Sequence, residues 1–132
     1  MTTTDTSRTE ITSSSIPAPR GHFSHAVSAG GFVYVSGLLA LNESGAIASP
    51  GDIEEQTSII LDALESILVE AGSSPAGLIK LTVYVTDIAQ RSAVSALRAQ
   101  RWPEIRPAST LVEVSGLAAD GAVIEIDAVA HS

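Results

Sequence analysis

The sequence predicts a single α+β domain in which two helices cover one face of a mixed sheet. Three observations carry this expectation. Alternating apolar runs over 32–38, 79–85 and 123–130 have the period of strands. Two other segments, from Asp52 to Ala71 and from about Gln90 to Trp102, read as helices. Their order is ββ-α-β-α-ββ, and 132 residues of which 45% are hydrophobic suffice for one core.

Each element has a local chemical cause. Residues 1–16 hold six Thr and four Ser without apolar periodicity and are expected to be a disordered tail ahead of a domain spanning 17–132. Ile16-Pro17-Ala18-Pro19 is a stiff, extended lead-in. Phe23 to Ser28 and Phe32 to Leu38 form a hairpin around Ala29-Gly30-Gly31. Asp52 caps the first helix, and Glu55 three residues on completes a capping-box pattern. Ile53, Ile60, Leu61, Leu64, Ile67, Leu68 and Ala71 make its buried stripe, and Gly72 stops it. From Ile79 to Val85 the odd-numbered residues face the core, whereas Lys80, Thr82 and Tyr84 face away. Pro103 ends the second helix. Thr110 to Val114 and Val123 to Ala130 are the last strands, joined by a Gly116 to Gly121 turn. The helices cover one sheet face only, so a partner subunit is expected to cover the other.

Composition excludes several function classes. Lys plus Arg is 7 against 15 Asp plus Glu, a net charge of −8, and aromatic residues are 4%. Such a chain offers neither a basic face for phosphates nor a stacking platform for bases, so no nucleic-acid partner is expected. Cysteine is absent, which removes thiolate nucleophiles, disulfides and cysteine-based metal sites and suits a reducing cytoplasm. No apolar run reaches 18 residues, and no basic-then-apolar leader is present, so neither membrane nor secretion is expected. Mean hydropathy is +0.29 with only 17% charged residues, more apolar surface than one small core hides, which points to oligomerisation.

Few groups qualify for chemistry. His22, His25 and His131 lack metal-ligand spacing, so no metal is expected. Ser36 lies within a strand and not at a strand-to-helix elbow, which disfavours a serine hydrolase. Val123-Ile124-Glu125-Ile126-Asp127-Ala128-Val129 places two carboxylates on one face of a strand, either a solvated face or a site that holds a water or proton. Glu113 is a third candidate. His25 reads as a polar strand residue, and Trp102 as a core or interface anchor.

Six segments in order resemble the RidA/YjgF family, also called the endoribonuclease L-PSP family. They are Phe23-Ser24-His25-Ala26-Val27, Val33-Tyr34-Val35-Ser36-Gly37, the run 51–57, the run 82–87, the run 106–114 and the run 124–130. The resemblance covers residues 17–131. It implies a chorismate-mutase-like protomer and a homotrimer whose sheets face inward, with ligands in three clefts between subunits. It also implies hydrolysis of reactive enamines and imines, such as 2-aminoacrylate, to keto acid and ammonia, without cofactor or metal. The acidic balance speaks against the ribonuclease activity that the second family name suggests.

The same resemblance implies roles for individual residues. Glu125 is the catalytic candidate, beside the hydrolytic water. Ser36 and Gly37 form a retained backbone corner. The family's pocket tyrosine aligns with Phe23 and its pocket asparagine with Ser95. Its substrate-gripping arginine, after Pro-Ala, aligns with Ser109, so this chain resembles the subgroups that lack it. Ser109 and Thr110 are left to receive the ligand's polar end. Losing a charge-assisted anchor costs about 1.5–3 kcal/mol, so an anionic 2-iminoacid is expected to bind poorly. Three readings are open: hydrolysis of another imine, enamine or related small metabolite; a replacement anchor supplied by Arg101 or Arg106; or a trimer that binds a small molecule without turning it over.

Overall fold

In the computed structural model, residues 7–132 are described. The strands are β1 (Thr9–Ile11), β2 (Ala26–Ala29), β3 (Phe32–Leu38), β4 (Leu78–Val85), β5 (Ala108–Glu113) and β6 (Ile124–His131), and the helices are α1 (Ile53–Glu70) and α2 (Arg91–Arg101). The six strands form one sheet in the order β1-β2-β3-β6-β4-β5.

The expected two-helix α+β architecture is present, and its topology has a plain cause. Helix α1 carries the chain from β3 to β4, two parallel strands one position apart. β6 fills the gap antiparallel to both. Helix α2 then makes the crossover to β5, which pairs parallel with β4 at the sheet edge. Although β5 and β6 are consecutive in the chain, they are not neighbours.

The core lies between the helices and one sheet face. Ile60, Leu61, Leu64, Ile67 and Leu68 of α1 are fully buried against Val33, Leu81, Val83, Ile124 and Ile126. Each such side chain contributes about 1.5–3 kcal/mol of burial. The Asp52 carboxylate accepts the Glu55 N–H at 3.0 Å, which is half of the expected capping box; the Asp52 N–H goes to the Ser49 carbonyl instead. Gly72, at φ 77°, ends α1: its N–H bonds the Val69 carbonyl and that of Ser73 the Leu68 carbonyl.

Three expectations are corrected. Within the expected tail, residues 1–6 lie outside the described residues, but Thr9–Ile11 pairs with β2, and Ile11 and Ser13 are buried. The buried His25 ring pins the segment between β1 and β2, because Nδ1 accepts the Ser13 N–H at 3.0 Å and Nε2–H donates to the Pro17 carbonyl at 2.9 Å. These two backbone partners fix the tautomer. Second, Phe23 precedes β2 instead of opening it. Third, an irregularity between Leu78 and Lys80 turns Ile79 outward and puts Leu78 in the core.

Candidate functional site

The face of the sheet turned away from the helices is open. Phe32 and Tyr34 of β3, Thr82 and Tyr84 of β4, and Glu125 and Asp127 of β6 alternate with buried neighbours, and Lys80 of β4 with Thr110 and Val112 of the exposed edge strand β5 continues that face. Tyr34 is 49% exposed and Phe32 38%, unusual for aromatic residues at the centre of a sheet.

Glu125 and Gly37 meet at a break in the β3–β6 ladder. Val35 pairs with Ala128 but Leu38 pairs with Ile126, so β3 carries one extra residue across this step. The bulge leaves Ser36 to bond elsewhere. Its N–H donates to the His25 carbonyl at 3.0 Å and its hydroxyl to the Ser24 carbonyl at 2.6 Å. Across the gap, the Glu125 carboxyl lies over Gly37 and fills the space that a Cβ would take, with Cδ only 2.8 Å from that point. Burial pushes the Glu125 carboxyl above the usual carboxylate range, and the Asp127 charge adds to the rise. Asp127 itself accepts the Tyr84 hydroxyl at 2.9 Å, and this bond raises the Tyr84 phenol above its ordinary value. Among the described residues no donor reaches the Glu125 carboxyl, which leaves it open to a water or a ligand proton.

Beside this bulge is a largely apolar cavity of about 470 Å³. Phe23 and Gly37 border it, Leu38 and Ile59 line it, and Pro17 and Pro19 of the pinned N-terminal segment close one side. Phe23 is 52% exposed and free to meet a ligand. Gly37 is the link between this cavity, which it borders with Phe23, and the Glu125 carboxyl above it; Ser36 and Glu125 do not line the cavity.

Ser95 and Ser109 form a second cluster at the other edge of the sheet, with Ile88, Val94 and Leu111, around a cleft of about 420 Å³. Thr110 is not part of it. Successive strand residues point to opposite faces, and Thr110 accepts the Lys80 ammonium at 2.6 Å on the open face. Ser109 instead faces α2 and accepts the guanidinium of Arg98 at 2.9 Å. Sequence reasoning missed Arg98. The available signal was its spacing of three from Ser95, which puts both on one face of α2.

The two arginines proposed as replacement anchors lie elsewhere. Arg101 reaches back to α1 and pairs with Asp62 at 2.5 Å and Glu65 at 3.3 Å. Trp102, buried beside it, donates its indole N–H to the same Glu65 at 2.9 Å, as suits a core anchor. Arg106 is exposed in the loop before β5. Glu113 accepts the Ile88 N–H at 2.9 Å and so serves the turn before α2. Among the described residues no group of three His, Asp or Glu converges as a metal site, and no helix is long and apolar enough to cross a membrane.

One further residue unread in the sequence is Gln56. It is fully buried in α1. Its amide N–H groups donate to the Ser49 and Gly121 carbonyls at 3.0 and 2.8 Å, and its oxygen accepts the Val123 N–H at 3.0 Å. That bond anchors the start of β6, the strand that presents Glu125.

Comparison with known proteins agrees with this fold. Residues 13–132 match the family model described as endoribonuclease L-PSP. A RutC family protein of Pyrococcus abyssi is 36% identical over 116 residues, covering 87% of this chain and 90% of that protein. A protein of Acinetobacter baylyi named 3-aminoacrylate deaminase RutC is 36% identical over 115 residues, with the same 87% and 90% coverage. Among solved structures, a Rid-family protein of Yersinia pestis superposes with a TM-score of 0.90 at 31% identity, covering 96% of this chain and 100% of that one.

Proposed function

Since the chain belongs to the endoribonuclease L-PSP (RidA/YjgF) family, we propose that it is a deaminase-type hydrolase that converts a reactive imine or enamine to a carbonyl compound and ammonia. One observation carries this reading: the half-buried Glu125 carboxyl, seated over Gly37 at the β3 bulge, with no protein donor among the described residues and a raised proton affinity. The similarity to a relative named for deamination of 3-aminoacrylate, an enamine, supports it.

The chemistry suits a carboxyl group of that kind. An enamine takes a proton at carbon and becomes an iminium ion, the protonated imine. Water held by Glu125 adds to the C=N carbon while the carboxylate takes its proton. The carbinolamine then breaks its C–N bond as the nitrogen receives that proton, ammonia leaves, and the hydroxyl gives its proton back to the carboxylate as the carbonyl forms. A carboxyl whose pKa is moved toward the working pH both gives and takes protons more readily than an ordinary surface glutamate.

A homotrimer is part of the proposal. Within one protomer, Glu125 opens on the helix-free face while Ser109 faces α2, with β4 between their strands. Packing the open faces of three copies together would cover Phe32, Tyr34 and Val112, and the family resemblance implies that the Glu125 site of one copy meets the β5 edge of its neighbour. The pocket is then shared, with Phe23, Ser36 and Gly37 on one side and Ser95 and Ser109 on the other.

The test couples an amino-acid oxidase to semicarbazide trapping of the imine and follows ammonia release over a panel of anionic, neutral and cyclic imines. The expected result is accelerated ammonia release from at least one, with mass measurement giving a trimer. A trimer that binds these compounds and accelerates none would establish a non-catalytic binding protein instead. A monomer would remove the shared pocket.

A further inference from the structure

Helix α1 carries more apolar surface than the sheet covers. Ile60, Leu61, Leu64, Ile67 and Leu68 are buried in the core, but Ile59 and Ala63, one turn apart, form a second apolar line that is only half-buried. Leu39 and Leu41, in the chain after β3, and Ile16 of the N-terminal segment are half-buried as well. All five border the same cavity of about 470 Å³. Its N-terminal wall is a built part of the fold. Pro17 and Pro19 stiffen that segment, and the buried His25 ring bonds both the Ser13 N–H and the Pro17 carbonyl.

The chemistry of the lining restricts what can enter. His25 has both ring nitrogens engaged, and among the described residues no buried side-chain nitrogen or oxygen lacks a partner. The interior therefore asks nothing of a ligand but apolar contact. Charged groups on the border are exposed to solvent: Asp62 is held by Arg101, whereas Glu43 and Arg20 carry opposite signs. An ion entering would lose water and meet no net counter-charge. The cavity is roughly three times the ~150 Å³ apolar space that holds a benzene ring, and within the range of about 300–1,000 Å³ usual for small-molecule sites.

We propose that this cavity is a binding site for uncharged hydrophobic compounds of one or two rings. The hydrocarbon body lies on Ile59, Ala63, Leu39 and Leu41, with Ile16 and the two prolines as the outer wall. A single hydroxyl or carbonyl group on the ligand turns to the mouth, which Ser66 borders. The site is on the α1 side of the sheet, and it touches the pocket proposed for hydrolysis only at Phe23 and Gly37. The two proposals are separable. A protein that releases no ammonia from any imine and still binds such a compound against Ile59 upholds this one while sinking the other.

The experiment titrates the full-length protein, labelled at its Ile and Leu methyl groups, with naphthalenemethanol. Naphthoate and naphthylmethylammonium, which share its ring system but carry opposite charges, are titrated separately. The alcohol is expected to shift the methyl resonances of Ile16, Leu41 and Ile59 saturably, and both ions should bind at least about tenfold more weakly. Ala63→Phe fills the cavity from α1 and should weaken the alcohol by about tenfold or more. Where Ala63→Phe does not fold, Ser66→Phe fills it from the next position on that face and should do the same. Four results would each overturn the proposal: either ion binding as tightly as the alcohol; shifts confined to Leu111 and its surroundings at the other sheet edge; no saturable shift with the alcohol; or unchanged affinity in a folded filling variant.

Discussion

The Glu125 carboxyl occupies the space that a side chain at Gly37 would need. The glycine is there for close approach, since a β-bulge brings its backbone under a carboxyl from the neighbouring strand. Gly37→Ala therefore expels the carboxyl and leaves the backbone in place, because the atoms met first are the far end of a flexible side chain. Stability should change by less than about 1 kcal/mol. Turnover should fall on the order of 100-fold through misplacement of the acid–base group. Thermal denaturation and ammonia release measured on the same preparation check both halves.

Glu125→Gln separates chemistry from folding. Turnover should drop about 100-fold or more if the carboxyl moves protons. Stability should move the other way. The folded state holds the Glu125 proton more tightly than the unfolded chain does. That preference favours folding below the unfolded pKa and is lost as pH rises through the higher folded pKa. At neutral pH the native carboxylate is thus a destabilising charge. The glutamine variant should melt above the parent at pH 7, with the difference shrinking toward pH 4. A variant that melts lower at pH 7 would show that the charge is held by contacts other than those described.

Gln56→Leu tests the support beneath that strand. It leaves the Val123 N–H without its partner inside the fold and takes one of two donors from each of the Ser49 and Gly121 carbonyls, which keep the Asp52 and Gly51 N–H groups. An unsatisfied buried donor costs about 1–3 kcal/mol, so a loss of about 1–3 kcal/mol is expected. Urea denaturation measures it. Loss of activity at temperatures where the variant is still folded would show that the start of β6 has shifted.

His25→Leu should release the N-terminal segment without unfolding the domain. Among the described residues the imidazole alone bonds both the Ser13 N–H and the Pro17 carbonyl. Hydrogen exchange at residues 11–20 should accelerate while that of β4 and β6 stays slow. The apolar cavity that this segment walls should lose any affinity for hydrophobic probes. Unchanged exchange at Ser13 would mean that β1 pairing alone holds the segment.

The expected elements were legible where local signals were strong. The stripe of α1, its Asp52 cap and its Gly72 stop were all written at short range. The face shared by Glu125 and Asp127 came from a strand's period of two. Two kinds of feature escaped. β1 is three residues of polar-rich chain, held by pairing with β2 and by a histidine twelve residues beyond Ser13. Gln56 sits on the apolar stripe of α1, where only its distant carbonyl partners explain a polar residue.

What the sequence determined by itself was the order of elements, the buried faces and the carboxylate pair, because period and capping depend on neighbours within a few residues. The tertiary structure decided which strands adjoin. It inserted β6 between β3 and β4, set the bulge of Gly37 beneath Glu125, sent Arg101 to α1 and brought Arg98 to Ser109. These are contacts between segments far apart in the chain. They depend on how crossover connections and core packing orient whole elements, and no local pattern encodes that geometry.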